Sequence, residues 1–108
     1  MAFDLSPNQW IANFSEDGTD ITIPLASLTG LTAAEADGED GDIRKVLFAI
    51  LNDVYTVWAA TAAADLPEGM KIYKQTGNAG GDNIKRTFVF EFHTVPGSED
   101  VASESDIV

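Results

Sequence analysis

Apolar and polar positions alternate with a period of two along three stretches of this chain and recur with a helical period along one. In "DITIPLAS" (20–27), Ile21, Ile23 and Leu25 share one side, while Thr22 and Pro24 share the other. That is the pattern of a half-buried strand, and Pro24, which lacks an amide donor, places it at a sheet edge. "QWIANF" (9–14) supplies a partner strand, with Asp17-Gly18 as the turn dipeptide. Residues 9–25 therefore predict a hairpin. "GMKIYKQT" (69–76) and "NIKRTFVFEFHTV" (83–95) predict a second one, joined by "GNAGGD", whose glycines permit positive φ. Met70 and Ile72 alternate, as do Phe88, Phe90 and Phe92, and these are the inward positions.

The helical pattern begins near Asp42 and ends near Asp65, before Pro67 and Gly69. At 100° per residue, Ile43, Val46, Leu47, Ile50, Leu51, Val54, Val57 and Trp58 fall on one side, and Phe48 and Tyr55 widen it. The apolar arc is about 200°, against the ~100° usual for a helix lying on one core. Lys45, Asn52 and Thr56 lie opposite, followed by the small residues Ala59, Ala60 and Ala63. Thr32 and Glu35 have capping-box spacing, which predicts a short helix over 33–37 ended by Gly38.

The predicted fold is α+β, in the order ββ-α-ββ: a small antiparallel sheet packed on one long helix, with extended termini. Its parts are an N-terminal arm (1–8) interrupted by Pro7, a single α+β domain (9–95) and an acidic C-terminal tail (96–108). The expected core is Ile21, Ile23, Leu47, Ile50, Leu51, Val54, Trp58, Met70, Ile72, Phe88, Phe90 and Phe92.

Length and charge narrow the function. A chain of 108 residues makes one modest core. Eighteen acidic residues against six basic ones give a net charge of -12, which repels nucleic-acid phosphates and anionic membrane surfaces. With no cysteine, disulfides, zinc-thiolate sites and cysteine nucleophiles are excluded. "MAFDLSPNQW" has neither the basic stretch nor the apolar run of a signal peptide, so the chain is expected to fold in the cytoplasm where it is made. No stretch is apolar and long enough to span a membrane.

The acidic loop "EADGEDGD" invites comparison with a calcium loop, which needs carboxylates at positions 1, 3 and 5, Gly at 6 and Glu at 12. Counted from Glu35, position 6 is Asp40 and position 12 is Val46; counted from Asp37, position 5 is Gly41 and position 12 is Phe48. No register fits. The expectation is instead that Asp42 caps the long helix and its neighbours favour the positive end of the helix dipole. His93, the one histidine, is expected to be an exposed strand residue, and no GxSxG-like elbow accompanies it. "GNAGGD" lacks the spacing and the following helix of a phosphate-binding loop. Hence no catalytic, cofactor-binding or metal-ligating residues are assigned.

Four of the six basic residues, Lys71, Lys74, Lys85 and Arg86, lie on the second hairpin. Two explanations stand side by side: lysines protecting an edge from aggregation, or a contact for the acidic surface or tail of a neighbouring copy. A single four-stranded sheet covers at best half of the helix, so the excess apolar surface predicts association. The expected interface residues are Phe48, Tyr55, Trp58, Ala59, Ala63, Lys71, Lys74, Lys85 and Arg86.

Across "ITIPLASLTGLTAAEADGEDGDIRKVLFAILNDVYTVW", and over about residues 10–93, the chain resembles short acidic proteins of tailed bacteriophages, particularly those of cyanobacteria. The resemblance implies a non-enzymatic virion structural protein, such as a capsid decoration or cement protein or a small tail or neck component. It implies a virion location, other capsid or tail proteins as partners, and homo-oligomers. It carries over no functional residues. The alternative is a small soluble binding or accessory domain, for example a host-directed phage factor.

Overall fold

The computed structural model describes residues 5–95 and Ile107. Its first element is a single helical turn, α1 (Pro7–Trp10), where extended chain and a strand were expected. The reason lies in Pro7. Its fixed φ suits the first helical position, where its missing N–H costs nothing, so it starts a turn here instead of breaking one. Residues 1–4 of the expected arm lie outside the described residues.

β1 (Ser15–Glu16) and β2 (Ile21–Thr22) form a minimal antiparallel hairpin in the register Ser15↔Thr22 and Glu16↔Ile21. Asp17 and Gly18 make its turn. The Asp17 carboxylate accepts from the amides of Thr19 (2.9 Å) and Asp20 (2.7 Å), and Gly18 takes φ +92°. The strand expected over 20–27 stops at Thr22. Pro24 (φ −63°) instead leads into a 3-10 turn, Leu25–Ser27, which carries the chain to the buried Leu28.

α2 (Ile43–Ala60) is the long helix. Asp42 caps it by accepting from the Arg44 amide at 2.9 Å. It ends five residues before the expected Asp65: Thr61 turns to extended backbone, its hydroxyl on the Val57 carbonyl at 2.8 Å, and a separate 3-10 turn, Ala63–Asp65, follows. The Trp10 ring lies 6.3 Å from that of Trp58, tilted by 36°, so α1 partly covers the C-terminal half of α2.

β3 (Met70–Gly80) and β4 (Asn83–Phe92) form the second hairpin, much longer than the first. Its register runs from Met70↔Phe92 through Ile72↔Phe90 and Lys74↔Phe88 to Gly80↔Asn83, with an irregularity between Asn78 and Gly80. The two-residue loop is Gly81-Asp82, with Gly81 at φ +58°, and Gly80, at φ +102°, sits at the irregularity just before it. The alternation puts Met70, Ile72, Phe88, Phe90 and Phe92 on one face, as the sequence predicts. Thr94 and Ile107 form an isolated antiparallel bridge. The rest of the acidic tail lies outside the described residues.

The fold is thus α+β in the predicted order, with one long helix, but the four strands make two separate two-stranded sheets. The chain divides into two compact units, Met1–Asp65 and Leu66–Val108. Among the described residues the buried hydrophobics are Leu28, Ala49 and Ile72. Of the expected core only Ile72 is so deeply placed, at 4% exposure, whereas Ile21, Leu47 and Phe92 are exposed at 68%, 50% and 52%. Ile21 sits in a two-residue strand with no further strand to cover it. Leu47 belongs to a side of α2 that the 27–35 segment does not reach.

Candidate interaction surfaces

The acidic loop is closed by its own carboxylates. Asp37 accepts from the amides of Glu39 (2.9 Å) and Asp40 (2.8 Å), while its carbonyl accepts from Gly41 (3.0 Å). Gly41 is where a side chain would force the backbone to shift: a Cβ there would meet the carbonyls of Glu35 and Asp37 inside van der Waals contact. The Asp42 amide donates to the Glu35 carbonyl at 2.9 Å, so the loop ends where the helix cap begins. The carboxylates have become acceptors for neighbouring amides, the use that Asp finds at turns and caps.

Glu35 is the hub of this corner. Its carboxylate accepts from the Thr32 amide at 2.9 Å, and the Thr32 hydroxyl sits 3.2 Å from the Glu35 amide, a reciprocal capping box. The expected helix over 33–37 is not formed. The box instead closes a single turn, because the glycine-flanked acidic loop follows at once. Lys45 of α2 reaches the same carboxylate at 2.9 Å and tethers the turn to the helix. Hydrogen bonds from Thr32, then the Lys45 ammonium, bring the Glu35 carboxyl from the usual 4.5 down to about 2. The Arg44 guanidinium, bonded to Asp42 at 2.7 Å, is the main reason that Asp42 falls from 3.8 to about 2. The same ion pairs raise Lys45 and Arg44 above their ordinary values.

A second tether, from the Thr29 amide to Asp53 at 3.3 Å, draws residues 27–35 along α2. The side of α2 that it covers is the one that includes the buried Ala49. At 100° per residue Ala49, Lys45 and Asp53 lie roughly 120–160° from the centre of the apolar arc, so this side is nearly opposite it. Between the segment and the helix runs an open groove of about 460 Å³, lined in part by Leu31, Phe48, Ala49 and Asn52 and by the two ion pairs Glu35–Lys45 and Asp42–Arg44. Leu31, Ala49 and Asn52 were not among the expected surface residues. An alanine inside a run of large apolar residues is the signal that a backbone segment can approach there.

The expected interface residues of α2 fare differently. Phe48 is 44% exposed, and Ile43 and Leu47, nearby on the helix, are 66% and 50% exposed. Tyr55 and Trp58 are half-buried, Trp58 against Trp10. Ala59 and Ala63 are exposed, and Ala63 lies beyond the end of α2 in the following turn.

On the second hairpin the register splits the four cations between two faces. Lys71 stands opposite Glu91, and Lys85 opposite Gly77, on the face with Tyr73 and Val89. Lys74, opposite Phe88, and Arg86, opposite Thr76, share the face that carries Ile72 and Phe90. The Lys74 ammonium lies 5.5 Å from the Phe88 ring centre, a cation–π distance. Lys71, Lys85 and Arg86 are exposed. His93 is exposed, with Nε2 3.0 Å from Glu91.

Among the described residues, no three His, Asp or Glu side chains converge on a possible metal position, and no helix is long and apolar enough to cross a membrane. No protein-family model matches the chain, no curated protein matches it, and no solved structure matches it.

Proposed function

We propose that this chain is a non-enzymatic structural protein of a phage particle, a capsid decoration or small tail or neck component, that acts through protein–protein assembly. One observation carries the assembly part. α2 has 18 residues rich in large apolar side chains, yet only Ala49 among them is buried. Ile43, Leu47 and Phe48 turn apolar surface to solvent within two turns of helix. Contiguous exposed apolar surface of this kind is what subunit contacts cover. The phage assignment rests on the sequence resemblance over 10–93.

The test is the protein content of particles purified from a lysate of the phage encoding this chain. Its peptides are expected at a copy number comparable to that of known structural subunits. Their absence from purified particles, with the chain abundant in the soluble lysate, overturns the virion assignment. One observation favours the second reading, a small binding or accessory domain: the groove beside Phe48 and Ala49 has the volume of a small-molecule site. A chain that stays monomeric and is absent from particles would fit that reading.

A further inference from the structure

We infer that two copies of this chain pair through the outer edge of β4, antiparallel about a two-fold axis at Phe88, so that two ribbons make one four-stranded sheet. The pairing rests on the assembly reading above and names both its surface and its partner, a second copy of this chain.

The backbone fixes which groups face that edge. The His93 amide donates to the Gly69 carbonyl at 2.8 Å, one step beyond the Met70↔Phe92 pair. Hydrogen-bonded and non-hydrogen-bonded pairs alternate along an antiparallel ladder. Lys85, Thr87, Val89 and Glu91 therefore aim their N–H and C=O groups at β3, while Ile84, Arg86, Phe90 and Phe92 aim theirs away from it. No described strand lies along that side of β4. The Thr94–Ile107 bridge lies beyond its end. A two-stranded ribbon is marginal in water, and strand addition at an edge supplies the neighbour it lacks.

The side chains select the second copy and its register. Antiparallel pairing about Phe88 sets Ile84 opposite Phe92 of the second copy, Lys85 opposite Glu91, Arg86 opposite Phe90 and Thr87 opposite Val89, and two-fold symmetry makes each pair twice. Lys85 and Glu91 are complementary charges. Within its own ribbon Lys85 faces Gly77, and among the described residues it pairs with no carboxylate. Arg86 meets the Phe90 ring, a cation on an aromatic face. Ile84 and Phe92, 62% and 52% exposed, cover one another. Other registers lose the charge pair. Pairing about Thr87 sets Lys85 against Val89, pairing about Val89 sets it against His93, and pairing about Arg86 sets the two arginines against each other. A slip of one residue turns the phenylalanine face against the opposite face. The β3 edge is the poorer one: that strand carries Lys71 and Lys74 with no carboxylate and ends in Gly77, Asn78 and Gly80, weak strand formers. Two chains of net charge -12 repel at a distance, but screening over about 8 Å at physiological salt leaves the local match to decide.

The test is sedimentation velocity on the full chain across a concentration series, with circular dichroism to confirm folding of each variant. The wild-type chain is expected to form a dimer. Arg86→Pro removes an outward amide without touching the β3–β4 ladder and should weaken the dimer at least about tenfold. Thr76→Pro makes the same change at the β3 edge and should weaken it less than about twofold. Lys85→Glu and Glu91→Lys should each weaken it about fivefold, and mixing the two variants should restore the dimer, because both charge pairs form again. The chain has no cysteine, so cross-linking tests the register without any proline variant. Thr87→Cys and Val89→Cys copies, mixed and mildly oxidised, should link faster than either alone, since the two positions face each other with Cα atoms about 4.5 Å apart. A wild-type chain that stays monomeric at all concentrations, equal losses for Arg86→Pro and Thr76→Pro, or a mixed cross-link no faster than the single ones would overturn the edge pairing. The assembly reading then stands or falls on the particle content alone. A dimer paired through β4 but absent from purified particles would instead remove the virion assignment and keep the pairing.

Discussion

The corner around Glu35 and the β3–β4 ribbon solve one problem, how to hold a chain with little core, by opposite means. The corner closes through side chains: Asp37, Asp42 and Glu35 each take up backbone amides, and Lys45 ties the turn to the helix. The ribbon closes through its backbone ladder over ten register pairs, with side chains adding a buried contact at its base. The first depends on charge and on particular residues. The second depends on register and on one apolar face.

The largest expected effect lies at the base of the ribbon. Ile72 is buried and pairs directly with Phe90. Ile72→Ala should cost about 2–5 kcal/mol, the range for a buried large-to-small change. Phe90→Ala belongs toward the lower part of its ~3–5 kcal/mol range, because Phe90 is only half-buried. Urea denaturation measures the loss, and amide exchange locates it. Faster exchange confined to residues 70–74 and 88–92 is expected; an equal loss along α2 would show that the two regions unfold as one.

Next comes the corner. Gly41→Ala forces a Cβ against the Glu35 and Asp37 carbonyls. The backbone must move, at a cost of about 1–3 kcal/mol, as for other overpacked sites. The variant tests whether the corner depends on a particular backbone path. A Gly41→Ala protein with wild-type stability and intact Glu39 and Asp40 amide protection would show that the loop is looser than its hydrogen bonds imply.

The legible parts of the fold and the illegible ones divide along the same line. The Asp17-Gly18 turn, the Asp42 cap, the inward face of Met70, Ile72 and the phenylalanines, and the helix–strand order follow from local rules that need no partner. The errors arise where tertiary contacts decide. Pro7 is compatible with both a break and a helix start, and the half-buried Trp10 beside Trp58 fits the latter. Thr32 and Glu35 predict their hydrogen bonds correctly but not the helix, since a capping box can close one turn alone. The covered side of α2 does not follow the apolar count, because polar tethers decide it: Lys45–Glu35 and Thr29–Asp53 set which side the chain covers. Of the surfaces, the cations of the hairpin were visible in the sequence, but their division between two faces needed the register.

Acid separates the two modes of closure further. Glu35 and Asp42 both titrate at about 2 in the fold, below their ordinary 4.5 and 3.8. Folded values that lie below unfolded ones contribute stability that is complete above the unfolded values and lost as the pH falls through the folded ones. The corner should therefore loosen between about pH 4.5 and 2, without a matching change between pH 6 and 8 from these groups. Exposure to water keeps the effect modest. Amide exchange at Glu39, Asp40 and Asp42 against pH is the measurement. Glu35→Gln keeps an acceptor for Thr32 but loses the charge facing Lys45, so its acid dependence should flatten. An unchanged acid profile would remove Glu35 as its source.

The smallest effect asks whether charge also matters in the ribbon. Lys74 is half-buried, with its ammonium 5.5 Å from the Phe88 ring centre. Lys74→Met keeps a flexible apolar stem over the ring and removes the cation, so it isolates the charge–ring attraction from packing. The expected loss is about 0.5–1 kcal/mol, the range for a cation–π pair that water still reaches. Pairing the substitution with Phe88→Leu in a double-mutant cycle removes the ring as well, and the coupling should shrink toward zero if the attraction resides in it. Lys74→Arg should retain most of the stability. If Lys74→Met is neutral or stabilising, the lysine serves the ribbon only by keeping an edge charged against aggregation, and the ribbon is held by backbone and apolar contact alone.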